Sequence, residues 1–370
     1  MERNYLITGG AGFIGSHLVN QIINDNYTFS SQIIVVDKLD YAANLDNLKQ
    51  CFEDPRFSFY QIDIKDSQAM LRILNEHKIN TIIHLAAKSH VDNSIDSPLD
   101  FITNNVVGAI NLISSVKLYL DSLNEFERAN FKFVNISTDE VFGDREGKAP
   151  ANELTAYNPS SPYSASKGAT DLIFNSFVTT YNIPVLTLYL CNNYGPRQYP
   201  EKLVPVSILQ LMRGQKVKLY GNGKQVRGWM YVKDTASLIL KIVNEWIPRK
   251  SDRFVIGGEY LSNTLVVNYI AQALEEIYPL ANNSNVNCNL QSYNDLIEFT
   301  SDRPGHDRKY QVDDALLQTK NIPLPVNNFK AHIKDTIKWY LENSRQELSK
   351  LNLYDYQESK SNPFTRNKRK

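Results

Sequence analysis

Residues 4–15 read Asn4-Tyr5-Leu6-Ile7-Thr8-Gly9-Gly10-Ala11-Gly12-Phe13-Ile14-Gly15. A strand-like run gives way to a cluster of glycines and then to a helical pattern. Gly10, Gly12 and Gly15 satisfy G-x-G-x-x-G, and Gly9, Gly12 and Gly15 satisfy the related G-x-x-G-x-x-G. Glycines let the backbone turn tightly and let a pyrophosphate approach a helix N-terminus, where free N–H groups and the helix dipole favour an anion. Taken alone, such a string is common.

Its surroundings decide the reading. The second apolar run, 32–37, ends at Asp37, 22 residues after Gly15. A carboxylate there can accept from the ribose hydroxyls of an adenosine. It would repel a 2′-phosphate, which favours NAD over NADP, although Lys38 beside it pulls the other way. A turn role at the strand end is the plain alternative for Asp37. Asp63 ends a third run, 57–63, and two readings stand for it: contact with the adenine, or capping of the next helix.

Further strands are expected at 81–86, 131–137 and 185–190. Most of these runs are continuously apolar, as suits parallel strands buried on both faces. Between them lie helical patterns. Residues 66–77 begin with Asp66 as N-cap and set Ala69, Met70, Ile73 and Leu74 on one face. Residues 99–121 and 163–181 read as longer amphipathic helices. The alternation predicts an α/β fold, a Rossmann-type doubly wound parallel sheet. After residue 190 the rhythm breaks, with Pro196, Pro200 and Pro205 in one loop and short strands at 217–220 and 254–258. The expected division is a dinucleotide-binding domain over 1–190, a smaller α/β substrate lobe over 191–345 with a helix at 327–345, and a polar, solvated tail over 346–370. Asn-rich 282–287 reads as a surface loop.

Composition narrows the function. The 370 residues carry 40 Lys+Arg against 40 Asp+Glu, and 42% are hydrophobic, so the chain is an ordinary globular one. Zero net charge argues against a general nucleic-acid binder. Cys51, Cys191 and Cys288 are few and far apart, which argues against a disulfide framework and fits a reducing, cytoplasmic setting. No uninterrupted apolar run approaches ~18 residues, so no membrane span is expected. Residues 1–5 lack the pattern of a signal peptide. The six histidines show no metal spacing, and no metal is expected.

Chemistry enters with Tyr163-x-x-x-Lys167, one turn apart at the start of a helix. A tyrosine with a pKa near ~10 is a poor base at neutral pH. A lysine ammonium one turn away, with a positively charged nicotinamide, would stabilise the phenolate. The same spacing recurs at Tyr220/Lys224 and Tyr356/Lys360, but one precedes a G-N-G turn and the other lies in the tail. Tyr163 comes one strand after Thr138, which ends the fifth strand at the carboxyl edge where such sheets bind ligands. Asp139 and Glu140 come next, two carboxylates suited to a reaction needing both an acid and a base.

TGGAGFIG (8–15), HLAA (84–87) and YSASK (163–167) resemble the extended short-chain dehydrogenase/reductase family. SHVDNS (89–94), STDEVFGD (137–144), NNYGPRQYPEKLVP (192–205), YGNGKQVRGWMYVKD (220–234) and DRPGHDRKY (302–310) narrow it to the nucleotide-diphosphoglucose 4,6-dehydratases, over about residues 4–345. The resemblance implies NAD as cofactor and dTDP-glucose or UDP-glucose as substrate. Tyr163, with Lys167 and Thr138, would take the proton of the sugar 4-hydroxyl. Glu140 would remove the proton at the 5-position, and protonated Asp139 would release the 6-hydroxyl as water. The cofactor would lie against Gly9, Gly12, Phe13, Ile14 and Gly15, then Asp37, Lys38, Leu39, Asp63 and Ile64. Its nicotinamide end would reach Leu85, Ala86, Ala87, Ser89, Asn104, Tyr163, Lys167 and Asn193. The sugar would meet Ser89, Thr138 and Asn192, with Glu201, Lys202 and Leu203 near the diphosphate. Lys218 and Tyr220 would line the base, Arg227 and Arg303 would clamp the pyrophosphate, and Asn263 and His306 would lie close by.

Three departures stand out. Phe142 replaces a usual Tyr, Lys88 replaces a common Glu, and Arg197-Gln198-Tyr199 occupies a segment that differs between thymidine- and uridine-type enzymes. The resemblance also admits sister enzymes, a 4-epimerase or a UDP-glucuronate decarboxylase, and a non-catalytic NAD sensor. Asp139 counts against the first two, and the intact Tyr163–Lys167 pair counts against the sensor. The family further implies a homodimer through 99–121 and 163–181.

Overall fold

The computed structural model describes residues 3–24, 32–248, 251–286 and 290–351. Its strands are β1 (Tyr5–Thr8), β2 (Ile33–Asp37), β3 (Phe57–Gln61), β4 (Thr81–His84), β5 (Lys132–Thr138), β6 (Val185–Leu190), β7 (Asn192–Tyr194), β8 (Val217–Tyr220), β9 (Val226–Tyr231), β10 (Asp252–Ile256), β11 (Glu259–Ser262) and β12 (Ile297–Thr300). Seven form one parallel sheet in the order β10-β6-β5-β4-β1-β2-β3. β1, β2, β4, β5 and β6 are buried along their whole length, as their continuous apolar runs require. The strand order reverses between β1 and β4, and the crevice at that switch point opens at their carboxyl ends, Thr8 and His84.

The helices follow their periodicity. Ser67–Glu76 is capped by Asp66, whose side chain accepts from the Ala69 N–H, and it buries Ala69, Met70, Ile73 and Leu74. Pro162–Tyr181 opens with a Ser161/Ser164 capping box and a proline in its first turn, and closes at left-handed Asn182. The helix expected at 99–121 runs Pro98–Asp121 but contains a π-helical turn, Ile102–Val107. By length and composition it could cross a membrane; here Ala109, Leu112, Ile113 and Val116 pack into the core shared with Met70, Ile73 and Leu74.

Several boundaries move. β3 stops at Gln61, where the Ile62 N–H also turns back to the Tyr60 carbonyl at 3.1 Å. Asp63 therefore lies in the following turn and accepts from the Lys65 N–H, while Asp66 does the capping. The run expected at 254–258 belongs to the large sheet as β10, beside β6. The helix Val232–Glu245 also returns, placing Ala236, Ile239 and Val243 in the core with Leu18 and Val19. The division at residue 190 is therefore interleaved rather than sequential. The smaller lobe holds a three-stranded sheet, β11-β9-β7, a two-stranded one, β12-β8, and its own core.

The last long helix is Phe329–Glu342, and helical backbone resumes over 344–351. Glu347 and Leu351 are buried there, so the expected solvated tail does not begin at 346. The remainder of the tail lies outside the described residues, as does residue 287. Asn283, read as part of a surface loop, is instead buried and donates to the Met212 carbonyl at 3.0 Å.

Candidate active site

One cavity of about 360 Å³ runs along the carboxyl edge of the large sheet. The glycine loop forms one end. Gly9 has φ +74°, and a Cβ on it would sit 2.7 Å from the Ala86 nitrogen. A Cβ on Gly15 would overlap the Gly9 carbonyl. Side chains here would fill the cradle in front of the helix Phe13–Asn24, whose N-terminus faces the cavity. This is the shape a pyrophosphate needs. Asp37 lines the same end, and its carboxylate accepts the Ala11 N–H at 3.0 Å and the Leu39 N–H at 2.8 Å. It thus braces the loop. Burial raises its pKa.

The wall holds Gly9, Gly12, Phe13, Ile14, Gly15, Asp37, Lys38, Asp63, Ile64, Leu85, Ala86, Ala87, Ser89, Asn104, Tyr163, Lys167 and Asn193. Leu39 is the expected cofactor residue missing from it. Its backbone is left-handed (φ 59°), and its side chain packs on the core. Lys38 is tied to Asn104 at 2.6 Å and to Asp40 at 2.9 Å. Asn104 comes from the π-helical turn, and the next residue, Asn105, is buried and exchanges hydrogen bonds with both backbone groups of Lys88.

At the other end, β5 delivers Thr138, and a 3-10 turn, Asp139–Phe142, follows at once. The Thr138 hydroxyl accepts from the Glu140 N–H and donates to Asp139 Oδ1 at 3.5 Å. Tyr163 enters from the capped helix, its backbone N–H held by Ser94 Oγ at 3.1 Å and its ring edge-on to Phe101. Lys167 Nζ donates to the Ile136 carbonyl at 2.8 Å. Phe142 packs against Tyr157 and Tyr189. Lys88 pairs with Asp100 and Asp40.

Electrostatics split these groups. Burial, reinforced by Glu140, pushes the Asp139 pKa up to about 8. Burial raises Glu140 too, but Lys202, Arg303 and Arg227 oppose it. Tyr163 is raised by burial and by Glu140, with the Thr138 hydrogen bond opposing. It is therefore a neutral phenol in this state. Burial lowers the Lys167 pKa, and the Asp171 carboxylate one turn on opposes it. Added positive charge is what the phenol still needs.

Ser89, Asn192, Glu201, Lys202 and Leu203 line the cavity as expected. Lys218, Tyr220, Arg227, Asn263, Arg303 and His306 do not. Tyr220, Arg227, Arg303 and His306 belong to a neighbouring cluster beside the smaller lobe. Arg303 pairs with Asp92 at 3.0 Å, the Tyr220 hydroxyl reaches the same carboxylate at 3.3 Å, and the Tyr220 and His306 rings meet edge to face. Arg227 stacks on Tyr310 and gives its N–H groups to the Val226 and Asp307 carbonyls. Two of its N–H groups are thus held by backbone carbonyls. Lys218 is exposed on β8, and Asn263 opens a helix with its N–H on the Gln225 carbonyl. Sequence reasoning missed Tyr41 and Tyr199, which also line the cavity. They meet edge to face at 5.4 Å, and the Tyr41 hydroxyl donates to Glu201 at 2.8 Å, joining the cofactor end to the smaller lobe. Nothing in their spacing signals this.

The family model described as GDP-mannose 4,6 dehydratase matches residues 6–320. The chain belongs to the GDP-mannose 4,6 dehydratase family. Within that family it is 40% identical over 344 residues to the dTDP-glucose 4,6-dehydratase of Neisseria gonorrhoeae, covering 92% of this chain and 96% of that one. The dTDP-glucose 4,6-dehydratase of Bacillus anthracis, solved in complex with NAD, superposes with a TM-score of 0.77 at 30% identity, over 93% of this chain and 98% of that one. The Streptomyces venezuelae enzyme of the same name, solved with NAD and TYD, gives 0.79 at 32% identity, over 92% and 97%.

Proposed function

We propose that the protein is an NAD-dependent nucleotide-sugar 4,6-dehydratase, converting dTDP-glucose or UDP-glucose to the 4-keto-6-deoxy sugar nucleotide and water. The observation that carries this is the Asp139-Glu140 pair beside Tyr163, Asp139 buried and held protonated near neutrality and Glu140 half-buried under the influence of Lys202, Arg303 and Arg227. The glycine cradle and the cavity-facing helix N-terminus fit NAD. When bound, NAD supplies the acceptor for the hydride of the sugar 4-position and its donor to the 6-position. The chain's residues move the protons. Tyr163 takes the proton of the 4-hydroxyl, and the Thr138 hydroxyl orients the phenol. The 4-ketone acidifies the neighbouring proton, which Glu140 removes. Asp139 gives its proton to the departing 6-hydroxyl. Lys202 and Arg303 hold Glu140 toward its ionised form.

The nucleotide would lie on the smaller lobe, made of 191–231 and 258–345, where Tyr220, Arg227 and Arg303 cluster. Relatives named for dTDP-glucose favour thymidine over uridine. A homodimer is supported by exposed Leu99, Ile102 and Leu118 on Pro98–Asp121 and by Leu172 on Pro162–Tyr181. Unpaired, buried Cys51 and Cys191 agree with a reducing, cytoplasmic compartment. Tyr163→Phe tests the assignment: turnover falls by about tenfold or more while the protein still folds and binds NAD. Full turnover in that variant would remove Tyr163 from the mechanism.

A further inference from the structure

Tyr163, Lys167 and Asp171 recur every fourth residue along the helix Pro162–Tyr181, so they stack on one face over β5. The first two are used above. Asp171 is only 4% exposed and does not line the cofactor cavity. Its carboxylate is nonetheless well furnished. Asn135 Nδ2 donates to it at 2.7 Å and Ser137 Oγ at 2.6 Å, both from β5. The Tyr157 hydroxyl reaches it at 3.4 Å and also bonds the Tyr189 hydroxyl of β6 at 2.5 Å. Asp171, Tyr157 and Tyr189 together face a second cavity of about 440 Å³.

A buried ammonium is costly unless a counter-charge meets it. Lys167 is equally buried, and beyond the Ile136 carbonyl the charge that supports it is Asp171. We propose that Asp171 is a positioning residue: fixed by Asn135, Ser137 and Tyr157 one helical turn beyond Lys167, its carboxylate is the through-space counter-charge that keeps the buried Lys167 ammonium charged while the Ile136 carbonyl holds it. The inference rests on the reading of Tyr163 and Lys167 given above. The charged and titratable groups around Asp171 are Lys167 and Tyr163 on its own helix, Tyr157 before it and Tyr189 on β6, with Arg253 of β10 and Glu153 acting on the tyrosine pair. Burial raises the Asp171 pKa to about 6, with Lys167 and the three hydrogen bonds opposing. Below that pH the counter-charge is lost.

The test is a double-mutant cycle on the full chain, read as NAD affinity by quenching of tryptophan fluorescence, since Trp229 lines the cavity. Asp171→Asn and Lys167→Met should each weaken NAD about tenfold, and the double variant should bind no worse than Lys167→Met. Wild-type affinity in Asp171→Asn, or penalties that add, would overturn the proposal. If Asp171→Asn does not fold, Tyr157→Phe decides. It removes a bond that favours the carboxylate, so the acid limb of NAD binding should move above pH 6; an unmoved limb counts against the proposal. The cycle needs no turnover. A wild-type protein that releases no water from the sugar nucleotide would strike the dehydratase reading and leave this one standing.

Discussion

At the scale of single residues, Asp139 sets the pH behaviour. A carboxyl with its pKa raised to about 8 keeps its proton through neutrality and can give it to a leaving hydroxyl. As pH rises through about 8 that proton is lost, so kcat for dehydration falls along an alkaline limb; a flat profile from pH 7 to 9.5 would remove Asp139 as the acid. Asp139→Asn keeps the shape without the acid, and kcat should drop by roughly 10²–10⁴-fold. The same shift affects stability. A raised carboxyl pKa means that the folded state holds the proton more tightly than the unfolded chain, whose Asp titrates near ~3.9. The associated stability is complete below that value and is lost as pH rises through about 8. Asp139→Asn should therefore melt higher than wild type at pH 9. The adjacency of Asp139 and Glu140 was legible in the sequence. That burial, helped by Glu140, holds Tyr163 neutral was not, because burial is a property of the packed site.

At the scale of elements, the glycine loop and the π-helical turn do the placing. A Cβ on Gly15 would lie 2.8 Å from Gly10 Cα as well as meeting the Gly9 carbonyl, all backbone that cannot yield cheaply. Gly15→Ala should abolish NAD binding by calorimetry while far-UV circular dichroism stays near wild type. The glycine spacing announced this loop directly. The π turn was hidden, since the helix-period pattern of 99–121 reads straight through it. It is pinned by Asn105, whose amide meets both backbone groups of Lys88 and the Ser166 hydroxyl, 17 and 61 residues away. Asn105→Leu leaves those buried groups unpaired and should cost about 2–4 kcal/mol in urea unfolding. An unchanged midpoint would show that the turn does not depend on it.

At the scale of the whole molecule, the sheet was legible because parallel strands buried on both faces leave continuous apolar runs. The return of β10 and of Val232–Glu245 to that sheet was not, because a short apolar strand carries no mark of which sheet it joins. The interleaving packs β10 and Val232–Glu245 from the second half into the core of the large sheet, beside the smaller lobe's own core. The exposed apolar residues on Pro98–Asp121 and Pro162–Tyr181 should pair two copies. Light scattering should thus give twice the chain mass of 42.3 kDa, and a monomer would contradict the proposed dimer. The central claim is tested most directly by incubating the purified protein with NAD and either dTDP-glucose or UDP-glucose and weighing the product by mass spectrometry. The account predicts loss of one water from the sugar nucleotide with no net NADH, fastest with the thymidine substrate. Sugar nucleotide recovered at unchanged mass, bound or epimerised, would contradict it.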